Sequence, residues 1–459
     1  PPRRPGRMTG RARLDHPEGE LRWVRDPRWG AVPAPAVHAV LAGHDHLLVV
    51  AAHPDDECLG AGAFIADAAA LGIAVTVLVL TEGEASHPHS PTVSADEMAR
   101  RRGEEADRAA AVLAPTARVV HAGLPDGGLA AHHDRVVAAV RDLARPGTLV
   151  LAPWTSDGHP DHDAAGRGAV AAVAESCADG EQRLHVGHYL VWLWHWGRPD
   201  ALPWADMVVV DATLAGLDRR DRALSQHHSQ LVALSPAVGD EALLGDTVLA
   251  PFRRGFTALV LPGHDLGGDG ASSARAAAFD GMFTDGDDPW ATPSWYERRK
   301  RALTLAVLGD EHYGRVLDLG CSTGVLTRAL AVRADELVAV DVSERALAVA
   351  RRDAPGGITW VHGEAPSVLD AVDGPLDLVV LSEVGYFLRP VELWLTLGRV
   401  LERLAPGGEL VLVHWRHPTS DIPLDGPAVH AQVRAVCGSW SRLTHVEPDV
   451  LVDTYAVPR

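Results

Sequence analysis

The sequence predicts two doubly wound α/β domains, each built on a mostly parallel sheet. Two observations lead to this prediction. Short apolar runs alternate with helical stretches twice along the 459-residue chain, and a segment rich in Gly, Asp and Ser, 263–287, separates the two series. Continuous apolar runs are typical of strands buried on both faces, and their alternation with helices is typical of parallel sheets covered by helices.

The first series occupies 36–262 and follows an irregular, Pro- and Arg-rich arm over 1–35. Its last strand, HYLVWLWHW, carries three alternating tryptophans, for which core or rim packing is expected and stacking on a sugar is the alternative. The elements predicted for this domain, in chain order, are strand 47–52, helix 60–72, strand 74–80, helix 95–113, a strand of sequence RVVHAG, helix 131–144, strand 148–153, helix 163–176, strand 188–196 and helix 211–231.

The second series occupies 288–459. Near its end, residues 440–457 predict a β-hairpin that turns at a Glu-Pro-Asp sequence. The strands predicted before this hairpin are 315–320, 337–341, 358–363, 376–382 and 409–415.

Composition excludes several classes of function. The formal net charge of −19 argues against binding to nucleic acid phosphates or to an anionic membrane. No apolar run approaches the roughly 18–20 residues that span a bilayer, and the N-terminal residues lack the apolar region of a secretory signal. The four cysteines are far apart, which predicts reduced thiols and a cytoplasmic protein. A homo-oligomer is compatible with the sequence.

Two clusters of carboxylates and histidines each follow a predicted strand. His53-Pro-Asp55-Asp56 follows strand 47–52, and Asp-Gly-His159-Pro-Asp-His162 follows strand 148–153. Because the carboxyl ends of parallel strands meet at one edge of a sheet, the clusters are expected to lie together if the two strands are neighbours.

Together these clusters offer the ligands of a catalytic zinc site. His53, Asp56 and His162 would supply two nitrogens and one oxygen, with the fourth position open to water, although such a set also accepts other divalent ions. Asp55 would accept a proton from that water, and His159 would hydrogen-bond the oxyanion or protonate the leaving amine. The competing interpretation is that Asp55 or Asp56 caps the next helix and that His159 is an ordinary loop residue.

The motif pair AHPDDE and HPDH resembles the PIG-L/LmbE-like family of zinc-dependent N-acetylglucosamine deacetylases, and the resemblance extends over about 46–235. It implies zinc binding by His53, Asp56 and His162, with Asp55 as the base and His159 as the group that stabilises the transition state. It also implies N-acyl amino sugars as substrates. Some members carry a tyrosine where this chain has Asp157.

A glycine turn between a strand and a helix predicts a second site. The sequence VLDLGCSTG contains Gly320 and Gly324, and Asp341 ends the next strand, at a spacing suited to a ribose contact. Ser322 and Val325 stand where a dinucleotide fingerprint needs glycine, and a P-loop lysine is absent. A glycine turn and a carboxylate without a phosphate cradle favour S-adenosylmethionine.

The order of motifs over 288–457 resembles a class I S-adenosylmethionine methyltransferase, and within that class the NodS-like N-methyltransferases. The resemblance implies a seven-stranded Rossmann-like fold and cofactor contacts from Asp318, Gly320, Gly324 and Asp341. The residues expected near the methyl acceptor, where a carboxylate or imidazole would take the proton of an ammonium group, are Glu383, Tyr386, His414 and His417. For the two histidines, a role in shaping the pocket alone is the alternative.

The two resemblances together predict a bifunctional tailoring enzyme of secondary metabolism. It would hydrolyse an N-acyl, by resemblance N-acetyl, amino sugar or pseudo-oligosaccharide and then N-methylate the freed amine. Three alternatives stay open: separate substrates with O-methylation, a non-catalytic scaffolding role for one domain, and a deacylase for a lipid- or thiol-linked glucosaminide.

Overall fold

The structure is a computed structural model that describes residues 19–177, 184–263, 272–283, 286–352, 354–419 and 422–459. These residues form two compact units. Within the described chain, the first unit comprises 19–23 and 31–263, and the second comprises 24–30 and the residues from 272 onward.

Seven strands of the described chain form the sheet of the first unit. They are β1 (His46–Ala51), β2 (Ala74–Thr81), β3 (Arg118–Leu124), β4 (Thr148–Pro153), β5 (His185–Tyr189), β6 (Met207–Asp211) and β7 (Phe256–Val260). Their order is β3-β2-β1-β4-β5-β7-β6. The first five strands run parallel, and β7 is antiparallel to both of its neighbours.

Helices cover this sheet and bury its apolar strands. The helices from residue 21 to residue 249 are α1 (Leu21–Val24), α2 (Val37–Val40), α3 (Asp56–Ala70), α4 (Ala95–Leu113), α5 (His133–Arg141), α6 (Pro160–Cys177), α7 (Leu193–Trp196), α8 (Leu214–Leu224), α9 (His228–Leu231) and α10 (Asp246–Leu249). Leu48 and Val50 of β1 are fully buried in a core that includes Val136 and Val140 of α5. Alternate β1 residues therefore point to the helices that cover one face of the sheet.

The second unit has the same strand order. Its strands are β8 (Tyr313–Leu319), β9 (Ala334–Asp341), β10 (Ile358–His362), β11 (Leu376–Ser382), β12 (Leu404–Trp415), β13 (Ser441–Val446) and β14 (Val450–Ala456). They lie in the order β10-β9-β8-β11-β12-β14-β13, with β14 antiparallel to β12 and β13. The helices are α11 (Ser272–Met282), α12 (Trp295–Ala306), α13 (Val325–Ala331), α14 (Glu344–Arg352), α15 (Pro390–Arg403) and α16 (Gly426–Cys437).

The predicted fold class is confirmed, and the terminal hairpin forms as β13 and β14. Two predicted elements are wrong. The predicted strand 188–196 ends with β5 at Tyr189 and is followed by the short helix α7. The predicted helix 211–231 is interrupted, because Asp211 still belongs to β6 and α8 begins only after the Thr213 side chain accepts the N–H of Gly216.

Two segments that the sequence indicates as irregular contain ordered structure. In the described part of 1–35, Trp23 packs edge-on against Trp194 in the first unit, and Trp29 packs edge-on against Trp394 in the second. Helix α11 lies within 263–287, of which 264–271 and 284–285 fall outside the described residues. Across the described chain, no helix has the length and apolar character needed to cross a bilayer.

In both sheets the strand order reverses at the equivalent position, next to the first strand of the unit. β1 lies between β2 and β4, and β8 lies between β9 and β11. At such a switch point the helical connections leave on opposite faces, and a crevice opens at the carboxyl ends of the two central strands. The residues that follow β1 and β4 meet in one crevice, and those that follow β8 and β11 meet in the other.

The contact of α3 with β5 gives a test of the first unit's packing. A Cβ atom on Gly60 would lie 2.0 Å from the buried ring of Tyr189, whose hydroxyl donates to the carbonyl of Val50 at 2.7 Å. We expect Gly60→Ala to destabilise the unit by about 2 kcal/mol, since neither partner has room to move. Amide hydrogen exchange of peptides from β1 and α3 should then become about thirtyfold faster.

Gly245→Ala is the matched control, because a Cβ there meets no atom within 4 Å and the backbone φ of −75° suits alanine. Equal exchange rates in the two variants would contradict this account of the packing.

Candidate active sites

Three predicted ligand residues converge in the first crevice. Nε2 of His162 lies 3.1 Å from Oδ1 of Asp56, and Nδ1 of His53 lies 3.5 Å from Oδ2 of the same carboxylate. Asp56 is held in place by the backbone N–H of His53, which donates to Oδ2 at 2.8 Å. His159 also belongs to the cluster, since one nitrogen each of His53, His159 and His162 lie within 4.8 Å of one another.

The outer nitrogen of each ligand histidine faces a carboxylate. Nδ1 of His162 donates to Asp157 at 2.8 Å, and Nε2 of His53 lies 3.2 Å from Asp126 and 3.4 Å from Asp161. The inner Nε2 of His162 is buried and makes no hydrogen bond of regular geometry, although it lies 3.1 Å from Oδ1 of Asp56. This is the arrangement of metal-binding histidines, whose second nitrogen is oriented by a carboxylate while the first faces the ion.

The electrostatic potential of this crevice favours a cation. Burial opposes a charge on both imidazoles, yet the carboxylates of Asp126, Asp161 and Asp56 raise the pKa of His53 well above its usual value. In the same way, burial is outweighed by Asp56 and Asp157, and the pKa of His162 rises to about 9. A buried inner nitrogen that makes no regular hydrogen bond, together with a surplus of carboxylates, fits a divalent metal ion such as zinc.

Asp55 is held by a buried arginine. Nη2 of Arg102 donates to Oδ2 of Asp55 at 2.9 Å and to the Pro54 carbonyl at 2.6 Å. The backbone of Asp55 has a φ of 131°, a conformation that costs energy in a non-glycine residue and that clusters at functional sites. Burial raises the pKa of Asp55 to about 6 although Arg102 opposes the shift. Asp55 does not cap α3 through its side chain.

His159 is positioned as a hydrogen-bond donor. Its Nδ1 accepts the backbone N–H of Asp161 at 3.3 Å, so the proton of the neutral ring lies on Nε2. Burial and the nearby His162 and His53 lower the pKa of His159 to about 4. A neutral ring with an Nε2–H group suits the donation of a hydrogen bond to an oxyanion better than the transfer of a proton.

Asp157 links the metal cluster to the loop that follows β5. Its Oδ1 accepts the N–H groups of Val191 and Leu193, each at 3.0 Å, and Oδ2 accepts that of Trp192 at 2.8 Å as well as that of His162. The carboxylate is fully buried. This capture of three successive N–H groups removes them from the β-ladder, which explains why the predicted strand ends at Tyr189.

Sequence analysis assigned no role to the supporting residues of this cluster. Asp126, Asp157 and Asp161 act through the histidines, and Arg102 acts through Asp55. Asp161 lies inside the HPDH motif and Arg102 inside a segment of the family resemblance, so both carried a signal. Asp126 lies in a Pro-Asp-Gly-Gly sequence, which predicts a turn but gives no signal of a role at the site.

The second crevice is lined by the predicted glycine turn. Gly320, Ser322 and Gly324 have φ values of 82°, 49° and 72°, so three alternate residues of the turn lie in the left-handed region that favours glycine. The half-buried Asp341 stabilises this turn, because its Oδ2 accepts the N–H of Ser322 at 2.7 Å and its Oδ1 that of Ser343 at 2.8 Å. A cavity with Asp341 in its wall opens beside the turn.

Asp318 contributes mainly to the structure of this turn. Its Oδ2 accepts the hydroxyl of Thr327 in α13 at 2.6 Å, and burial raises the pKa of its carboxyl group to about 6. The cavity is lined by Asp318, Gly320 and Asp341. Gly324 is instead the N-cap residue of α13 and lies close to the Trp360 ring.

Glu383 and Tyr386 lie in the wall of the same cavity. Oε2 of Glu383 accepts the Tyr386 hydroxyl and, at 3.2 Å, the N–H of Trp415. The other carboxylate oxygen lies 3.1 Å from Nζ of Lys300, a buried lysine that sequence analysis missed. The φ of Glu383 is 60°, so this carboxylate projects from a second strained backbone position at a strand end.

His414 and His417 do not line the cavity. Nε2 of His414 accepts the N–H of Gly385 at 3.0 Å, so its Nδ1–H donates to His430, whose own Nδ1–H donates to Asp453 at 2.8 Å. Burial, together with His430 and Lys300, lowers the pKa of His414 well below its usual value. His414 therefore supports the turn that carries Tyr386, and His417 pairs with Asp449 at the surface.

Two family models match the chain, one in each unit. The model described as "GlcNAc-PI de-N-acetylase", PIG-L, matches residues 48–173. The model described as "Methyltransferase domain" matches residues 316–408. The first match contains both carboxylate–histidine motifs, and the second contains the glycine turn and Asp341.

Individual proteins resemble each half separately. Nodulation protein S of Rhizobium tropici is 33% identical over 130 residues, which cover 27% of this chain and 54% of that protein. Diacetylchitobiose deacetylase of Thermococcus kodakarensis is 35% identical over 135 residues, which cover 28% of this chain and 49% of that protein. The chain thus spans about half the length of these two relatives.

Among solved structures, the N-methyltransferase NodS of Bradyrhizobium japonicum WM9 in complex with S-adenosyl-L-homocysteine is 21% identical. The match covers 40% of this chain and all of that one, with a TM-score of 0.34.

The carboxylate beside the glycine turn gives a test of the second site. We expect Asp341→Ala to weaken S-adenosylmethionine binding about thirtyfold, because the variant loses a charged hydrogen-bond acceptor in the cavity wall and frees the Ser322 N–H. Isothermal titration calorimetry measures the change. Glu336→Ala is the control, since Glu336 is an exposed residue of the same strand. Equal affinities of the two variants for S-adenosylmethionine would show that Asp341 is not part of the cofactor site.

Proposed function

We propose that this chain, which joins an N-terminal PIG-L deacetylase domain to a C-terminal NodS-like methyltransferase domain, removes an N-acyl group from an amino sugar and then methylates the freed amine. Hydrolysis breaks the amide C–N bond and yields a carboxylate and an amine. Methylation forms an N–C bond from the amine lone pair as the methyl–sulfur bond of S-adenosylmethionine breaks, and the amine proton is released.

The residues of the first crevice support the hydrolytic step. His53, Asp56 and His162 would hold zinc, which when bound lowers the pKa of water and polarises an amide carbonyl. Arg102 occupies Oδ2 of Asp55 and leaves Oδ1 as the atom that would take the proton of the attacking water. The Nε2–H of His159 would donate a hydrogen bond to the oxygen of the tetrahedral intermediate.

The residues of the second cavity support methylation of an amine. Glu383 presents a carboxylate that can bind an ammonium group and accept its proton, and the Tyr386 hydroxyl orients that carboxylate. Aromatic side chains line the cavity beside these groups, including Phe279, Trp290 and Tyr296. The faces of such rings attract a cation, which favours a substrate ammonium and a sulfonium cofactor.

The presence of both donor sets in one chain is the observation on which the joint proposal rests. The first crevice has the groups for making an amine from an amide, and the second has a carboxylate suited to an amine. The two family descriptions are compatible in their chemistry, since a de-N-acetylase produces an amine, a group that a methyltransferase domain can consume. A secondary metabolite with an N-methylated amino sugar is the class of product that this order would give.

A single variant tests the order of the two reactions. We expect Asp55→Asn to abolish deacylation, because the amide cannot accept a proton, and therefore also to abolish methylation of any acetylated amino sugar. The same variant should still methylate the corresponding free amine at the wild-type rate. Mass spectrometry of N-acetylated amino sugars, aminoglycoside-type metabolites and their deacetylated forms, incubated with zinc and S-adenosylmethionine, follows both steps.

Asp134→Asn, an exposed change in α5 of the same unit, should leave both steps intact. A methylated product that retains its acetyl group would contradict the proposed order and would favour O-methylation or independent substrates.

A change at the Asp157 carboxylate tests zinc binding separately from catalytic turnover. We expect Asp157→Asn to lower zinc affinity about tenfold to a hundredfold, because His162 loses the charged acceptor that orients it. Competition with a chromogenic chelator at constant pH measures the affinity. Asp163→Asn is the stringent control, since Asp163 accepts the N–H of Gly158 through an oxygen that asparagine retains. Unchanged zinc affinity of the Asp157→Asn variant would show that Asp157 does not support the metal site.

A further inference from the structure

A second group of metal-binding side chains lies at the first turn of α3. Glu57 and Cys58 follow Asp56 there, and His227 immediately precedes α9. One oxygen of Glu57, the sulfur of Cys58 and one ring nitrogen of His227 lie within 4.8 Å of one another. We call these three residues the buried cluster, because each of them is 0% exposed.

The position of His227 is set by α4. Two residues further on, the N–H and the hydroxyl of Ser229 donate to the buried carboxylate of Glu105 at 2.8 and 2.7 Å. Nε2 of His227 lies 3.8 Å from Oε1 of Glu57, and neither ring nitrogen makes a hydrogen bond within the described chain. A neutral imidazole carries one donor and one acceptor, and buried polar atoms are almost always paired, so this ring lacks a partner.

The carboxylate of Glu57 also lacks an adequate partner. Oε2 accepts the backbone N–H of Asp55 and Oε1 accepts the thiol of Cys58, each at 3.4 Å. Both contacts are long, and a thiol is a weak donor. Among the residues that the structure describes, no arginine or lysine nitrogen lies within 4.0 Å of this carboxylate. A carboxylate in the protein interior needs a counterion, and none is supplied here by a side chain.

We propose that the buried cluster is a second metal site, which binds a zinc ion in addition to the one proposed for His53, Asp56 and His162. Thiolate sulfur, imidazole nitrogen and carboxylate oxygen are all zinc ligands, whereas magnesium and calcium take oxygen alone. The inference concerns a different set of residues and does not depend on the deacylase function.

The spacing of the donor atoms suits a tetrahedral ion. With bonds of about 2.0–2.3 Å, two donors on the same zinc lie roughly 3.3–3.7 Å apart. Sγ of Cys58 lies 3.4 Å from Oε1 of Glu57, and that oxygen lies 3.8 Å from Nε2 of His227. Three protein ligands leave the fourth position of the ion to a water molecule.

Charge balance permits an ion at this depth. Zinc binding replaces the S–H bond of Cys58 by a sulfur–zinc bond, and the thiol proton leaves to solvent. The thiolate and the Glu57 carboxylate together neutralise the two charges of the ion, so no net charge is buried. Because no member of the cluster is exposed, substrate does not reach the ion. Its role is structural, since it ties the first turn of α3 to His227.

Cobalt substitution tests this inference without an assay of activity. The full chain is produced in zinc-depleted medium supplemented with cobalt, so that the metal enters while the protein folds. We expect about two cobalt ions per chain and a strong near-ultraviolet absorption, which arises from a cobalt–thiolate bond and not from nitrogen or oxygen donors. The three ligands proposed for the first crevice include no sulfur, so this absorption reports on the buried cluster alone.

A serine at position 58 removes the sulfur with little change of volume. We expect Cys58→Ser to bind about one cobalt ion per chain and to lose nearly all of the near-ultraviolet absorption. Cys437→Ser is the matched control, since Cys437 is an equally buried free thiol in α16 and should leave both signals unchanged. A wild-type protein without this absorption, or a Cys58→Ser variant that retains it, overturns the inference.

A change in the first crevice separates the two metal sites. We expect His162→Ala to lower the cobalt content by about one ion per chain and to keep the near-ultraviolet absorption. Unchanged cobalt content in this variant counts against the metal site of the proposed deacylase, while the absorption still supports the buried cluster. Loss of the absorption in Cys58→Ser with unchanged absorption in His162→Ala assigns the sulfur-bound ion to the buried cluster.

Discussion

The constraint on which both sites depend is the divergence of the chain at the centre of a parallel sheet. Where the connections leave on opposite faces, the ends of two neighbouring strands must turn sharply into a crevice. Three of the four non-glycine residues with positive φ in the described chain lie at these ends: Asp55, Ser322 and Glu383. Such conformations persist only when their surroundings over-determine them, and each has a buried or half-buried partner.

These partners differ in ways that suit the two sites. Arg102 fixes Asp55, the Asp341 carboxylate fixes Ser322, and Lys300 lies against Glu383. In the first crevice the carboxylates exceed the cationic side chains, and the potential raises the pKa of both metal-facing histidines. In the second unit, burial keeps His414 neutral, and its two nitrogens are used to hold the Gly385 turn. The first crevice has the potential of a cation site, and the second opens into a cavity lined by aromatic, apolar and charged side chains.

The sequence was sufficient for the parallel strands, because these are mostly apolar and need no partner to be recognised, whereas β6 and β7 of the first sheet were not predicted. Strand 376–382 and helix 95–113 were predicted with their observed bounds. Elements whose backbone depends on distant side chains were not predictable. The alternating tryptophans of 188–196 imitate a strand, but Asp157, more than 30 residues earlier, takes the N–H groups that a strand would have paired.

The same limit applied to the sites. Motif residues such as His53 and His162 were expected to meet because their motifs follow the neighbouring strands β1 and β4, and their ring centroids lie 5.4 Å apart. The histidines proposed near the methyl acceptor came from a resemblance of local sequence. His414 and His417 are close in sequence to Trp415, which lines the cavity, but their own side chains are used by His430 and Asp449. Which residue of such a run faces a cavity is decided by tertiary packing.

In the proposed N-methylation, the pairing of Glu383 with Lys300 bears on the form in which the amine would react. A deacylated amino sugar is an ammonium ion near neutral pH, and only its conjugate base has the lone pair that attacks a methyl group. Nζ of Lys300 also lies 2.7 Å from the carboxylate of Glu297. If Lys300 moved away from Glu383, it would therefore remain paired with Glu297. An arriving ammonium group can therefore replace Lys300 at Glu383 and transfer its proton there. Because Glu297 retains Lys300, this exchange of partners does not leave a buried charge without a counterion, the outcome that low-dielectric surroundings penalise most.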